Sequence, residues 1–269
     1  MQYEPIKHRV GRFFNKSPFS RKILYHLLDL LLLRAWHIRR EINKIKVSIP
    51  ATASILDAGS GFGQYSYFIS NGSEKYNISG VDINQTQVED NNAFFKRIGK
   101  AERVTFSVAD LTTYKNEEAY DFIITVDVME HILEDEKVFR NLFYSLKPGG
   151  ILLISTPSDE GGSDAHDEHD ESFIGEHVRN GYNINDIQQK LKKAGFSRTE
   201  AKFTYGKPGQ ISWKLSMKYP ISLLNVNKIF FVIIPFYFIF TYPVSFVLNL
   251  FDLYGSHQTG TGLMVKAWK

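Results

Sequence analysis

The sequence predicts an α/β fold in which helices cover both faces of a doubly wound sheet. Short apolar runs alternate with amphipathic stretches between about residues 50 and 200, and the first run ends in a glycine-rich turn. Acidic residues follow several of the later runs. The carboxyl ends of parallel strands form the edge where such sheets bind ligands, so these acids are expected to lie together there.

The glycine-rich turn identifies the ligand edge. Ile55 and Leu56 read as the first strand, and Asp57-Ala58-Gly59-Ser60-Gly61-Phe62-Gly63 leads from it into a helix. Glycine adopts backbone angles closed to other residues and lets a ligand approach the main chain. A dinucleotide fingerprint would put the third glycine at Gln64, and a phosphate loop would end in Gly-Lys-Ser/Thr. Neither spacing is present, which disfavours NAD and nucleoside triphosphates.

Acids after the next two strands fit a nucleoside. The second strand, 76–83, carries Asp82, which can accept hydrogen bonds from both ribose hydroxyls, and the third, 103–111, carries Asp110. The fourth strand is followed by polar residues in Asp127-Val128-Met129-Glu130-His131. The remaining strands are predicted at 120–126, 151–157, 196–205 and 262–268.

This ordered set of motifs resembles the class I S-adenosylmethionine-dependent methyltransferases over roughly residues 50–200. The stretch from Asp127 to His131 also resembles ubiquinone-pathway O-methyltransferases of the methyltransferase type 11 group. The resemblance implies a seven-stranded Rossmann-like sheet whose last strand is antiparallel and lies beside the fifth. It implies S-adenosylmethionine as the cofactor, with contacts from Asp57, Gly59, Ser60, Gly61, Gly63, Asp82, Ile83, Asp110, Leu111 and Asp127.

An amino-terminal segment goes beyond the minimal fold. Residues 1–48 are predicted to form a basic, amphipathic helical extension or lid, with one helix over 21–45, ahead of a methyltransferase domain at 49–269. Residues 1–46 hold eleven Lys or Arg and three acids, although the net charge of +3 does not suggest a nucleic-acid partner. The helix either packs on the domain's own sheet or lies on a membrane surface.

An apolar insertion, 207–260, precedes the last strand. Residues 229–251 are uncharged over 23 positions, enough to span a bilayer core. Pro235 and Pro243 interrupt any single helix, and a crossing would separate the last strand from its sheet. We therefore expect two short apolar helices around the prolines, forming a re-entrant or monotopic hairpin. The alternative is a lid on the domain or on a dimer partner, and the oligomeric state stays open.

Histidines near the ligand edge are the candidates for a catalytic base. Methyl transfer from a sulfonium is an in-line displacement that mainly needs alignment, and for an oxygen acceptor a base helps. His177 ranks first, because it lies between Glu176 and Arg179 in the segment after the fifth strand. His131, His169 and His166 follow, although a lone histidine is more often structural.

Two groups of side chains could ligate a divalent metal. Asp127, Glu130 and His131 combine two carboxylates with an imidazole, as in some ubiquinone-pathway relatives. Support of the cofactor loop is the favoured role for these residues, so no metal is predicted. His166-x-x-His169 is a weaker candidate, and a solvated acidic loop is its alternative.

The leading hypothesis is O-methylation of a lipophilic small molecule or lipid-linked acceptor at an anionic membrane surface. The alternatives are C- or N-methylation of a small molecule, and a non-catalytic, cofactor-binding membrane scaffold. The absence of cysteine excludes disulfides, thiolate metal sites and a cysteine nucleophile. No amino-terminal signal peptide is evident, so we expect a cytoplasmic protein that is peripheral on the inner membrane face.

Overall fold

The computed structural model describes residues 17–161, 178–227 and 229–269. Its seven-stranded sheet has the order β3-β2-β1-β4-β5-β7-β6. The strands are β1 Ser54–Ala58, β2 Asn77–Asp82, β3 Val104–Val108, β4 Tyr120–Val126, β5 Leu146–Pro157, β6 Arg198–Thr204 and β7 Gly262–Trp268. Strand β7 is antiparallel to both β5 and β6 and lies between them. The predicted fold class is therefore confirmed, including the direction and place of the last strand.

Helices cover both faces of the sheet and extend from one end of it. They are α1 Pro18–Leu31, α2 Leu33–Ile45, α3 Gln64–Gly72, α4 Gln85–Arg97, α5 Asp135–Ser145, α6 Ile184–Ala194, α7 Lys207–Trp213, α8 Tyr219–Val226 and α9 Phe230–Tyr254. A 3₁₀ turn, Met129–His131, follows β4, and a π-helical turn, Lys214–Lys218, joins α7 to α8.

Two apolar layers enclose the sheet. Successive strand residues point to opposite faces, so Leu56 belongs to one buried cluster and its neighbour Ile55 to the other. The first layer includes Phe139 of α5 and Leu191 of α6, whereas the second includes Ile38 of α2. Because both faces are covered, the carboxyl ends of the parallel strands remain the edge available to ligands.

The amino-terminal extension forms two helices, so the prediction of one helix over 21–45 is wrong in this respect. Leu32 has an extended backbone, with φ −96° and ψ 106°, and separates α1 from α2. The break lets the two helices follow different surfaces. Tyr25 of α1 donates to the Phe62 carbonyl in the glycine loop over 2.5 Å, whereas Ile38 of α2 is buried against the sheet.

The insertion is a helical hairpin, but its turn is not at the prolines. Helix α9 continues through Pro235 and Pro243, and the break in the hairpin lies between the end of α8 at Val226 and the start of α9 at Phe230. The prediction of two short helices around the prolines is therefore wrong. Each proline removes one helical hydrogen bond. Packing against the α7–α8 arm, with the Tyr237 hydroxyl donating to the Leu215 carbonyl over 2.8 Å, holds the long helix together.

Candidate functional site

The glycine loop has a backbone that only glycine accepts easily. Gly59, Gly61 and Gly63 have φ of +79°, +48° and +69°. A Cβ on Gly59 would overlap the side chain of Val128, which follows β4. Gly63, in the left-handed backbone conformation, is also the N-cap residue of α3. The three glycines therefore combine a tight turn with close packing between the ends of β1 and β4.

Asp57 lies beneath this loop. Its carboxylate is buried and accepts hydrogen bonds from the Ser66 N–H over 3.1 Å and the Ser66 hydroxyl over 2.6 Å. Burial outweighs these bonds and raises the pKa of Asp57 from 3.8 to about 6. In the structure this predicted cofactor residue holds the first turn of α3 against the end of β1.

The predicted nucleoside-binding residues follow β2 and β3. The half-buried Asp82 accepts from the Gly61 N–H over 2.8 Å and from the Asn84 N–H over 2.9 Å. Ile83 is 73% exposed, so its apolar side chain is accessible to a flat ligand. Asp110 is exposed after β3, and its Oδ1 accepts from the Thr112 N–H over 2.8 Å. Leu111 is buried in the core.

The loop contains a polar group that fits a bound cofactor. The Ser60 hydroxyl is buried, and within residues 17–161, 178–227 and 229–269 it has no hydrogen-bond partner. A buried hydroxyl without a partner is costly, and a ligand in the cradle could supply one. This orphan group, the open glycine main chain and the Asp82 carboxylate together fit a nucleoside cofactor such as S-adenosylmethionine.

An ion pair closes the edge beyond the loop. Asp127 follows β4 with φ +51°, a conformation rare for a residue with a side chain, and its Oδ2 pairs with the Arg34 guanidinium. Arg34 belongs to the first turn of α2, so the amino-terminal extension contributes directly to the site. Burial raises the pKa of Tyr65, the phenol near Arg34 in the first turn of α3.

The metal candidates occupy the turn after β4. Glu130 is buried, accepts from the Thr156 hydroxyl over 3.1 Å, and has its pKa raised by burial. His131 is half-buried beside it, and the main-chain N–H of His131 donates to the Val128 carbonyl over 3.0 Å. Among the residues that the structure describes, no group of three His, Asp or Glu side chains could hold a metal ion.

Three histidine candidates, His166, His169 and His177, lie outside the described residues. Of the histidines predicted near the site, the structure therefore places His131 alone, at the carboxyl end of β4. The roles of His166, His169 and His177 stay predictions.

The sequence interpretation missed Arg34 and Tyr205. Tyr205 directly follows β6 with φ +55°, and its hydroxyl accepts from the Arg34 main-chain N–H over 2.9 Å. The contact joins positions 171 residues apart, so no local pattern announces it. The one available signal is that Arg34 is the first charge after the apolar run of Leu30–Leu33.

A family model described as "Methyltransferase domain" matches residues 25–201, most of the chain. The chain belongs to the methyltransferase-domain family. The prediction of a class I S-adenosylmethionine-dependent methyltransferase is thus confirmed at the level of family and fold, and S-adenosylmethionine is the cofactor of that class.

Named relatives differ in their acceptors. The chain is 32% identical over 157 residues to phosphoethanolamine N-methyltransferase 1 of Triticum aestivum, a match covering 56% of this chain and 30% of that protein. It is 29% identical over 130 residues to the ubiquinone biosynthesis O-methyltransferase of Rickettsia prowazekii, covering 47% of this chain and 50% of the relative. The chain therefore spans half or less of the length of these relatives.

A solved structure shows the same fold. Phosphoethanolamine N-methyltransferase 2 of Haemonchus contortus, in complex with S-adenosyl-L-methionine, superposes with a TM-score of 0.58 at 20% identity. The superposition covers 80% of this chain and 48% of that one. At this identity the likeness concerns the fold alone.

Proposed function

We propose that this chain transfers a methyl group from S-adenosylmethionine to an oxygen of a lipophilic or lipid-linked acceptor at a membrane surface. The observation that carries the acceptor class is the exposed apolar hairpin beside the ligand edge. When bound, the cofactor supplies an electrophilic methyl group on a sulfonium. The residues of the chain have to orient the cofactor, align the acceptor and exclude water.

The strand order supports one orientation of the cofactor. Asp110 after β3 would face the adenine, and Asp82 after β2 would accept from the ribose hydroxyls. Because β1 and β4 are the next strands in the sheet, Asp127 and Arg34 lie where they would hold the amino-acid portion. This pair would offer an anion to the ammonium and a cation to the carboxylate of the methionine part.

The hairpin presents a large apolar surface. Among the described residues one stretch, Val232–Tyr254, is long and apolar enough to cross a membrane. Only 11% of its most apolar 18-residue segment is buried. An exposed apolar surface of this extent is typical of a contact with a membrane or a partner. Both arms of the hairpin return to the sheet, at β6 and β7, which favours insertion from one side over a crossing.

Helix α1 extends this apolar surface. Ile23, Leu27 and Leu30 are exposed and, with Trp36 of α2, line a groove of about 590 Å³. The Trp36 ring packs against the Phe246 ring on α9, with the two ring centroids 5.3 Å apart, so the groove adjoins the hairpin. This continuity supports a lipophilic acceptor that reaches the site along the membrane-facing side.

Basic residues favour an anionic surface. Lys207, Lys214 and Lys218 lie on the α7–α8 arm. The amino-terminal segment has an excess of eight positive charges, of which the buried Arg21 and the paired Arg34 face the protein. Each Lys or Arg near an anionic membrane contributes about 1 kcal/mol. We therefore propose peripheral attachment to the cytoplasmic face of the inner membrane.

N-methylation of a small phosphorylated amine is the second candidate, because the relatives at 31–32% identity bear the name phosphoethanolamine N-methyltransferase. An experiment with methyl-labelled S-adenosylmethionine separates the two. Label that the protein transfers to a membrane lipid extract, and that partitions into the organic phase, supports the lipophilic acceptor. Label appearing on phosphoethanolamine in the aqueous phase supports the second candidate. Cofactor binding without transfer over a broad acceptor panel would contradict both and favour a scaffold.

A further inference from the structure

One buried carboxylate ties the apolar hairpin to the rest of the domain. Asp252 lies near the end of α9 and is fully buried. Its Oδ1 accepts from the Tyr205 N–H over 3.1 Å and lies 2.8 Å from His37 Nε2 of α2. Its Oδ2 accepts from the Gly209 N–H over 3.1 Å and lies 3.3 Å from His257 Nε2. A single side chain thus joins the amino-terminal extension, the end of β6 and both arms of the hairpin.

Tyr205 carries this connection toward the ligand edge. Its φ of +55° is a strained conformation for a bulky residue, so the surrounding contacts have to hold it. Its hydroxyl accepts from the Arg34 N–H in the first turn of α2, where N–H groups lack helical partners. The residue that caps this helix, Leu32, offers no side-chain acceptor. The Tyr205 hydroxyl therefore supplies the cap that the local sequence lacks.

Arg34 completes the path to the cofactor loop. Its guanidinium pairs with Asp127, and the adjacent Val128 packs over Gly59. The contacts run without a gap from Asp252 through Tyr205 and Arg34 to the ends of β4 and β1. The hairpin is thus a supporting wall of the site as well as an apolar surface.

We infer that Asp252 and Tyr205 are positioning residues, through which the hairpin holds Arg34 at the amino-acid end of the cofactor. This inference rests on the cofactor orientation in the proposed function. In that orientation Asp110 after β3 and Asp82 after β2 would hold the adenine and the ribose, away from Arg34. Disturbing the path therefore weakens the binding of the amino-acid portion and leaves the binding of the nucleoside unchanged.

The test compares two ligands by calorimetry. S-adenosylhomocysteine contains the amino-acid portion, whereas 5′-methylthioadenosine keeps the nucleoside and lacks it. In Tyr205→Phe, which removes one hydroxyl, the affinity for S-adenosylhomocysteine is expected to fall about fivefold to tenfold. The affinity for 5′-methylthioadenosine is expected to stay unchanged. Tyr237→Phe is the matched control, because its hydroxyl bond to the Leu215 carbonyl lies within the hairpin, and both affinities should stay at wild-type values.

Asp252→Asn is a second test variant. If circular dichroism shows that it is folded, its affinity for S-adenosylhomocysteine should fall and its affinity for 5′-methylthioadenosine should stay unchanged. If it does not fold, Tyr205→Phe decides alone. Equal losses for both ligands in Tyr205→Phe would indicate general loosening and overturn the inference. Unchanged S-adenosylhomocysteine binding would overturn it as well. A wild-type protein that binds neither ligand would contradict the proposed function, and the inference with it, so the two failures are distinguishable.

Discussion

Gly61 donates its main-chain N–H to Oδ2 of Asp82 over 2.8 Å, which joins the loop after β1 to the end of β2. Oδ1 of the same carboxylate accepts from the Asn84 N–H over 2.9 Å. A carboxylate oxygen has two lone pairs, so each oxygen can accept a further hydrogen bond. The acid is therefore oriented before a ribose arrives, which reduces the entropic cost of binding it.

The first prediction concerns Asp57, whose pKa burial raises to about 6. The folded state then binds a proton more tightly than the unfolded state, so Asp57 destabilises the fold as pH rises from about 4 to about 6. The free energy of unfolding of the wild type should fall relative to that of Asp57→Asn by about 2 kcal/mol over this range. Urea denaturation at a series of pH values measures the difference.

Asn cannot ionise, so the difference in free energy of unfolding between the wild type and Asp57→Asn reports the Asp57 carboxylate alone. A difference that stays constant from pH 4 to pH 7 would show that Asp57 titrates near its unfolded value, against the burial described above.

The second prediction concerns the close packing at Gly59. Gly59→Ala places a methyl group against Val128 at a φ of +79°, so cofactor affinity should fall more than tenfold. Gly99→Ala is the matched control, because its φ is +73° but a Cβ there has open space around it. It should lose about 1 kcal/mol of stability and keep cofactor affinity. Similar affinities for the two variants would refute the role given to Val128.

The third prediction assigns the base. His177→Ala should lower turnover of an oxygen acceptor by about 10²–10⁴-fold, because it removes the group that takes the hydroxyl proton. His131→Ala and His169→Ala should have smaller effects. Wild-type turnover of His177→Ala from pH 6 to pH 9, together with a loss in either other variant, moves the role to that histidine.

The fourth prediction concerns membrane attachment. The wild type should float with anionic vesicles at low salt and detach as salt rises, because apolar burial and basic residues act together. Phe236→Ser combined with Phe240→Ser should abolish flotation without unfolding the protein, since both side chains are more than 60% exposed. Val47→Ser is the control, because Val47 is exposed but lies at the end of α2. A wild type that ignores vesicles at low salt points to a lid or subunit interface.

The sheet could be predicted from the sequence because its signals are local. Apolar β-branched runs, the glycine turn and caps such as Asn183 and Gly195 mark each element within a few residues. The acids after β2, β3 and β4 reach one edge by topology alone, which is why the sequence predicts Asp82 and Asp127 at the site.

The errors and omissions arise where packing over long distances decides. A proline ends a helix only when nothing compensates for the hydrogen bond that it removes. In the 25-residue α9, packing on α7 compensates for that loss. The break at Leu32 has no Gly or Pro to announce it, because it results from α1 and α2 following different surfaces. Arg34 and Tyr205 enter the site only through such packing.

Calorimetric titration of the wild type and of Asp82→Ala tests the central claim most directly. We expect saturable binding of S-adenosylhomocysteine to the wild type and no binding of NAD. Loss of the Asp82 carboxylate should weaken S-adenosylhomocysteine at least tenfold, because two ribose hydroxyls and the Gly61 N–H lose their acceptor. Glu89→Ala, an exposed acid on α4, should keep wild-type affinity. Binding of NAD, or S-adenosylhomocysteine affinity unchanged in Asp82→Ala, would contradict the assignment of this loop to S-adenosylmethionine.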